Sequence, residues 1–343
     1  MKNNFTVIMA GGFGERFWPK SSENIPKQFL DLNNSGETLI KQTYNRFIKI
    51  CPKKNIYISA HKNHLNLIKK NIKGINRKNI ILEPEKKNTS PSILLSTLII
   101  RQNNPEANIL FSPADHHIKN EDTFIKEINK CFHFISKNTG ILTIGIKPTN
   151  PATGYGYIKT SKKQNYNFYN IDQFIEKPNL GKAKKFVKNK NYYWNSGIFI
   201  SKAKSILKEF KKNGNKNYKI LSAIKNINEK NIKAKYNLLN NISFDYEILE
   251  KCKSIYMCKC NLIWSDLGSW SSVSEFMKKD QNNNRINNKN IKIFDSKNNI
   301  INIDDNYNLI AEGLNGYIII QHKNKILICK KKSEQKIKNF LKD

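Results

Sequence analysis

Short apolar runs rich in Ile and Val alternate with helix-like stretches through the first half of the chain. Phe5–Ala10, Asn55–Ala60, Asn79–Leu82 and Asn108–Ser112 have the composition of strands. Between them, His64–Asn71 and Ser92–Gln102 read as helices. Thr89-Ser90-Pro91 supplies a hydroxyl cap and a first-turn proline ahead of the second. Glu121–Ser136 predicts a further helix and Gly140–Ile146 a further strand. Lys202–Lys212 and Phe244–Cys252 read as helices, and Ser254–Cys260 as a strand. Strand, helix and strand repeated in this way build a sheet covered by helices. The expected class is α/β: a Rossmann-like mixed, mostly parallel sheet flanked by helices.

The texture changes near residue 280. Lys279–Asn290 is polar and Asn-rich and reads as a linker. After it, Ile291–Phe294, Ile300–Ile303, Leu309–Ala311, Tyr317–Ile320 and Ile326–Cys329 recur every 8–10 residues, with Asn, Asp or Gly between them. That spacing predicts a small C-terminal all-β domain, sandwich-like or β-helix-like. Lys332–Leu341 reads as a closing helix. The 343 residues suffice for two domains, and the expected division is 1–280 and 281–343.

The formal net charge is +33, which raises the question of a nucleic-acid partner. The basic residues are spread along the chain beside Asn and Ile, and only Arg16, Arg46, Arg77, Arg101 and Arg285 are arginines. Selected phosphate and base contacts favour the planar fork of Arg. A Lys, Asn and Ile excess fits drift in an A+T-rich coding sequence, so no nucleic-acid partner is expected. No apolar run approaches the roughly 20 residues of a spanning helix, and Phe5–Ala10 is a poor signal peptide because glycines follow at once. A soluble cytoplasmic protein without a membrane partner is expected. Cys51, Cys131, Cys252, Cys258, Cys260 and Cys329 match no zinc spacing and read as free thiols. His116 and His117 are adjacent, so a strand would point them to opposite faces.

The first apolar run ends in Met9-Ala10-Gly11-Gly12-Phe13-Gly14-Glu15-Arg16. A glycine-rich turn after a first strand lets backbone N–H groups approach a phosphate. No Gly-Lys-Ser/Thr follows, so it is not a P-loop, and the third glycine of a dinucleotide fingerprint is missing. Arg16 and Lys27 add two cations. The combination suits a polyphosphate under attack, and a plain turn with surface charges would look the same.

AGGFGERFWP (10–19) followed by PKQF (26–29) resembles the opening motif of the sugar-1-phosphate nucleotidylyltransferases. Further blocks extend the likeness: EPEKKNTSPS (83–92), PADHHI (113–118), PTNPATGYGYI (148–158), FIEKP (174–178), WNSG (194–197), FDY (244–246) and WSDLGSW (264–270). They stand in the family's order over residues 5–270, and within the superfamily they are most similar to the mannose-1-phosphate guanylyltransferases.

The resemblance implies that GTP and mannose 1-phosphate give GDP-mannose and pyrophosphate. In-line attack on an α-phosphorus needs positioning and charge neutralisation more than covalent chemistry. Arg16 and Lys27 become candidates for stabilising the triphosphate. Asp115 and Asp266 are implied as ligands of Mg²⁺, which favours one or two carboxylates plus phosphates and waters. Ala10, Gly11, Gly12, Gly14, Glu83, Asn88 and Thr89 are the nucleotide-binding candidates, with Glu83 or a backbone carbonyl facing the guanine donors. Glu176 and Asn195 suit the sugar hydroxyls, Gly154 a close backbone approach, Lys177 the sugar phosphate, and Asp245 the same pocket. Trp194, Trp264 and Trp270 read as pocket walls or core.

Glu15 stands where many relatives have Thr or Ser, and its carboxylate is expected to point away from a phosphate. About 60 residues follow the expected linker, too few for a cupin-like isomerase domain, so no phosphomannose isomerase activity is expected. A homodimer is the family-level expectation. Two other readings remain: the same reaction with another nucleotide and sugar, or a non-catalytic nucleic-acid-binding or regulatory relative.

Overall fold

The computed structural model describes residues 2–164 and 166–341. Its strands are β1 (Asn4–Met9), β2 (Ile56–His61), β3 (Ile80–Glu83), β4 (Asn108–Pro113), β5 (His117–Ile118), β6 (Ile141–Ile146), β7 (Tyr157–Lys163), β8 (Phe168–Ile175) and β9 (Tyr192–Lys202). They continue with β10 (Ile255–Cys260), β11 (Trp264–Ser265), β12 (Lys278–Lys279), β13 (Arg285–Ile286), β14 (Ile291–Phe294), β15 (Ile300–Asn302), β16 (Leu309–Glu312), β17 (Tyr317–His322) and β18 (Lys325–Lys330). The chain divides into two compact units. The first comprises Met1–Gly11, Thr43–Ala114 and Ile118–Trp264, the second Gly12–Gln42, Asp115–His117 and Ser265–Asp343. Among the described residues, no helix is long and apolar enough to cross a membrane.

The first unit is built on a nine-stranded sheet of order β3-β2-β1-β4-β9-β6-β10-β8-β7. The strands legible as Ile/Val runs pair in parallel: β1 with β2 and β4, β2 with β3, and β6 with β10. Every residue of β6 is buried, which explains its unbroken apolar run. The antiparallel pairs come from β7, β8 and β9. In β7 and β8 polar residues (Lys159, Asn170, Asp172, Gln173) interrupt the apolar ones, so the apolar pattern does not announce them.

Helix Glu121–Lys137 buries Phe124, Ile128, Cys131, Phe132 and Ile135, one stripe at helical spacing. Helix Thr89–Asn103 begins ahead of the expected Ser92, with Asn88 as its cap: the Asn88 side chain accepts from Thr89 N. The stretch Phe244–Cys252, expected as one helix, breaks at Ile248 into Phe244–Glu247 and a 3-10 turn at Leu249–Lys251. The strand order reverses beside β1, with β2 on one side and β4 on the other, and Met9 stands in register with Pro113. The segments after Met9 and Pro113 therefore leave the same carboxyl edge side by side, the position where open α/β sheets bind ligands.

In the second unit, β14 pairs with β16, and β15 with both β13 and β17, all in parallel. Ile291 faces Leu309 and Ile300 faces Ile318, each 18 residues further on, so the chain coils as a short β-helix. Ile291, Ile301, Ile303 and Ile319 fill one core, and Ile300, Ile318, Ile320 and Leu327 join Phe17 and Trp270 in another. The stretch Lys279–Asn290 is not a linker. It carries β13 and the fully buried Asn284, whose side-chain oxygen accepts from Asn299 N (3.0 Å) and Asn299 Nδ2 (2.9 Å). Asn299 Oδ1 in turn accepts from Tyr317 N at 2.8 Å. Asparagine is used here because one amide satisfies both donors and acceptors of neighbouring coil corners. The tail Lys332–Leu341 falls in a 3-10 stretch, Lys331–Lys336, and a short helix, Ile337–Phe340.

Candidate active site

A cleft of about 450 Å³ in the second unit is lined by Glu15, Arg16, Lys27, Asp115, His116, Asp266 and Lys338, among others. It brings together all four residues expected to carry the chemistry. Lys27 is only 4% exposed. Its Nζ donates to Asp115 Oδ2 at 2.9 Å and to the Asp266 carbonyl at 2.5 Å, and lies 5.5 Å from the Phe17 ring centre. Burial pushes the Asp115 carboxyl up, but Lys27 and then His116 outweigh it and hold the group below the usual carboxylate range. Arg16 Nη1 donates to the Gly268 carbonyl at 3.1 Å.

Two glycines make room for these groups. Gly14 has φ +68°, and a β-carbon there would lie 2.4 Å from Lys27 Cβ. A β-carbon on Gly268 would lie 2.6 Å from Asp266 Oδ2, while Gly268 N donates to Asp266 Oδ1 at 2.9 Å. Glu15, expected to face away, lines the cleft at its exposed margin. Sequence reasoning misses Lys338, because nothing distinguishes it from the other lysines of the C-terminal tail. His117 packs 4.3 Å from the Phe276 ring and contacts Asn33 at 3.0 Å. Trp270 is core, 5.3 Å from Phe17.

Of the nucleotide candidates, Gly12 is exposed, with open space around it. In the first unit, Ala10 is buried and its N donates to Ser59 O at 2.7 Å, and Gly11 is exposed. Glu83 is buried; its Oε1 accepts from Ser59 Oγ at 3.0 Å and its Oε2 from Tyr236 OH at 2.8 Å. Burial raises its carboxyl against the pull of those bonds. Its Oε1 lies 4.0 Å from the place a side chain on Gly11 would begin. Asn88 caps its helix, and Thr89 Oγ1 accepts from Phe244 N at 2.9 Å.

A second polar cluster in the first unit gathers Glu176, Lys177, Asn195 and Asp245. Asn195 Oδ1 accepts from Thr143 Oγ1 at 2.8 Å, and its Nδ2 donates to Asp245 Oδ1 at 3.2 Å. Lys177 Nζ donates to Glu176 Oε1 at 2.6 Å. Burial first, then the Glu176 carboxylate, pushes the Asp245 carboxyl up to about 7. Gly154 is exposed with open space around it. The close approach falls at Gly156, where a β-carbon would lie 2.6 Å from Glu176 Oε2. Tyr155 joins Trp194 and Trp264 in an aromatic wall, with ring centres 5.0 and 5.3 Å away.

A family model for nucleotidyl transferases matches residues 5–283. A mannose-1-phosphate guanylyltransferase of Salmonella muenchen is 33% identical over 352 residues, covering 99% of this chain and 73% of the relative. One of Escherichia coli is 33% identical over 350 residues, covering 98% and 74%. A crystal structure from Thermus thermophilus, described as a mannose-1-phosphate geranyltransferase, superposes with a TM-score of 0.88 over 99% of this chain and 98% of its own. At 23% identity that likeness is one of fold. The chain belongs to the nucleotidyl transferase family and, within it, to the mannose-1-phosphate guanylyltransferases.

Proposed function

We propose that the chain transfers the GMP unit of GTP to mannose 1-phosphate. An oxygen of the sugar phosphate forms a bond to the α-phosphorus, the α–β bridging P–O bond breaks, and pyrophosphate leaves with that electron pair. The observation that carries this reading is the buried Lys27 ammonium, held against both Asp115 and the Asp266 carbonyl beside Arg16. A fixed cation in a partly dry cleft stabilises charge developing on phosphate without reorganising at the moment of reaction.

Arg16 and Lys27 hold the triphosphate, with the backbone of Ala10, Gly11, Gly12 and Gly14 following its oxygens. Glu83, Asn88 and Thr89 serve the guanine side. Glu176, Asn195 and Asp245 bind the sugar hydroxyls, with the close backbone approach at Gly156 in place of Gly154, and Lys177 meets the sugar phosphate. Asp115 and Asp266 are hard oxygen donors lining one cleft, a donor set that fits Mg²⁺. When bound, Mg²⁺ supplies positive charge that offsets the triphosphate and the leaving pyrophosphate.

We assign the chemistry to residues 1–280 and a scaffold role to the small β domain, 281–343. Lys338 alone among the described residues of that domain lines the cleft. We further propose a cytoplasmic homodimer with no nucleic-acid function. Support for self-association comes from Ile326 and Ile328, 60% and 62% exposed on one face of the edge strand β18. Gel filtration returning only monomer at micromolar concentration would overturn it.

The test of the transfer reaction is direct product analysis. GDP-mannose should form from GTP and mannose 1-phosphate with Mg²⁺, disappear with chelator, and fall sharply in Asp115→Ala and Asp266→Ala. Undiminished turnover in both variants would remove these residues from the metal site.

A further inference from the structure

We infer that Glu127, Cys258 and Cys260, with a water as the fourth ligand, form a binding site for a thiophilic divalent metal ion, zinc by chemical class, separate from the transferase cleft. Side chains of a strand alternate, so Cys258 and Cys260 on β10 share one face. Helix Glu121–Lys137 packs over that face and brings Glu127 to it. The result is a convergence of two sulfurs from a strand with a carboxylate from a helix. The chain positions 127 and 258 are too far apart for any short spacing pattern to reveal it.

The distances suit a metal. Cys258 Sγ lies 3.6 Å from Cys260 Sγ and 4.0 Å from Glu127 Oε2. The ligand atoms of Glu127, Cys258 and Cys260 all lie within 4.8 Å of one another. A tetrahedron with Zn–S bonds of about 2.3 Å has edges of about 3.8 Å, close to these separations. Soft sulfur donors select zinc over the hard Mg²⁺ proposed for the carboxylate cleft.

The surroundings fit as well. Cys258 and Cys260 are buried, so the site is shielded from bulk water. Two thiolates and one carboxylate around a divalent ion leave one negative charge. Lys130 offsets part of that excess: its Nζ holds Glu127 Oε1 at 2.7 Å and leaves Oε2 turned to the sulfurs. This is an orienting contact of the kind that tunes metal ligands. A cleft of about 220 Å³, lined by Lys163, Tyr166, Asn167 and Phe168, opens onto Glu127 and Cys258 and supplies an entry path.

The test is made on the full chain, purified under reducing conditions, and does not depend on turnover. Metal analysis should return one zinc per chain after desalting. Cobalt(II) added to the metal-free protein should give sulfur-to-cobalt charge-transfer absorption and the intense visible bands of a tetrahedral site. Cys258→Ser and Cys260→Ser should abolish both signals. Because those residues are buried and their variants can misfold, Glu127→Gln at the edge of the site is the second arm. It should fold and bind zinc more weakly by at least the roughly 10–100-fold that loss of an outer-shell partner costs. Cys329→Ser, outside the cluster, should keep the zinc. Absence of zinc and of cobalt bands, or zinc retained in Cys258→Ser, Cys260→Ser and Glu127→Gln alike, would overturn the inference.

Discussion

Gly14 and Lys27 stand so close that a β-carbon on the glycine would lie 2.4 Å from the β-carbon of the lysine. The glycine also holds φ +68°, a region that costs an L side chain roughly 1–2 kcal/mol. The loop after β1 therefore fixes the lysine by leaving out a side chain. Gly14→Ala should displace Lys27 and lower kcat/KM on the order of 10²-fold with a modest loss of stability. Steady-state kinetics beside a thermal melt checks this. Kinetics unchanged from the parent would mean that the loop and the lysine move independently.

Lys27→Met keeps most of the length of the side chain, one atom shorter, and removes its charge. A fall in kcat on the order of 10²–10³ is expected, with the KM for mannose 1-phosphate nearly unchanged. A rise in that KM at constant kcat would assign the lysine to sugar-phosphate binding instead.

Asp245 carries a pH-dependent stability term. Its carboxyl is pushed up to about 7 by burial and by Glu176, above its unfolded value. Between those two values the folded chain holds a proton that the unfolded chain has released. The contribution is thus full below about pH 4, declines as the pH rises towards 7, and is lost above it. The loss is on the order of 1–3 kcal/mol, and Asp245→Asn should remove it. Melting curves should show the variant gaining a few degrees on the parent between pH 5 and pH 8. Parallel curves would contradict the assignment.

Asn299 bridges two coil corners of the β-helix, accepting from Tyr317 N and donating to Asn284 Oδ1. Asn299→Ala leaves the Tyr317 N–H without its partner and should cost about 1–3 kcal/mol. Denaturant unfolding checks the size of the effect, and a neutral substitution would show that water replaces the amide.

What the sequence made legible follows from where its local signals are strong. β1, β2, β4 and β6 lie in the part of the sheet where burial on both faces writes a continuous apolar run. β7 and β8 stand at the far end, where polar residues interrupt the pattern. Arg16, Lys27, Asp115 and Asp266 could be named because each sits in a recognisable block. The contact between Lys27 and Asp115 spans 88 positions and is a product of the fold. Gly156 could not be told from Gly154 without knowing which one faces Glu176. The Asn-rich stretch read as a linker because its asparagines look like solvated loop residues, whereas Asn284 is buried by its coil neighbours. Lys338 and the approach of Glu127 to Cys258 carried no local signal.

Guanylyl transfer is tested by pyrophosphate release from the purified chain with Mg²⁺, over a matrix of four nucleoside triphosphates and several sugar 1-phosphates. Release with GTP and mannose 1-phosphate above every other pair is expected. Preferred release with another pair would keep the transfer chemistry and contradict the specificity. No release with any pair would contradict the catalytic reading itself.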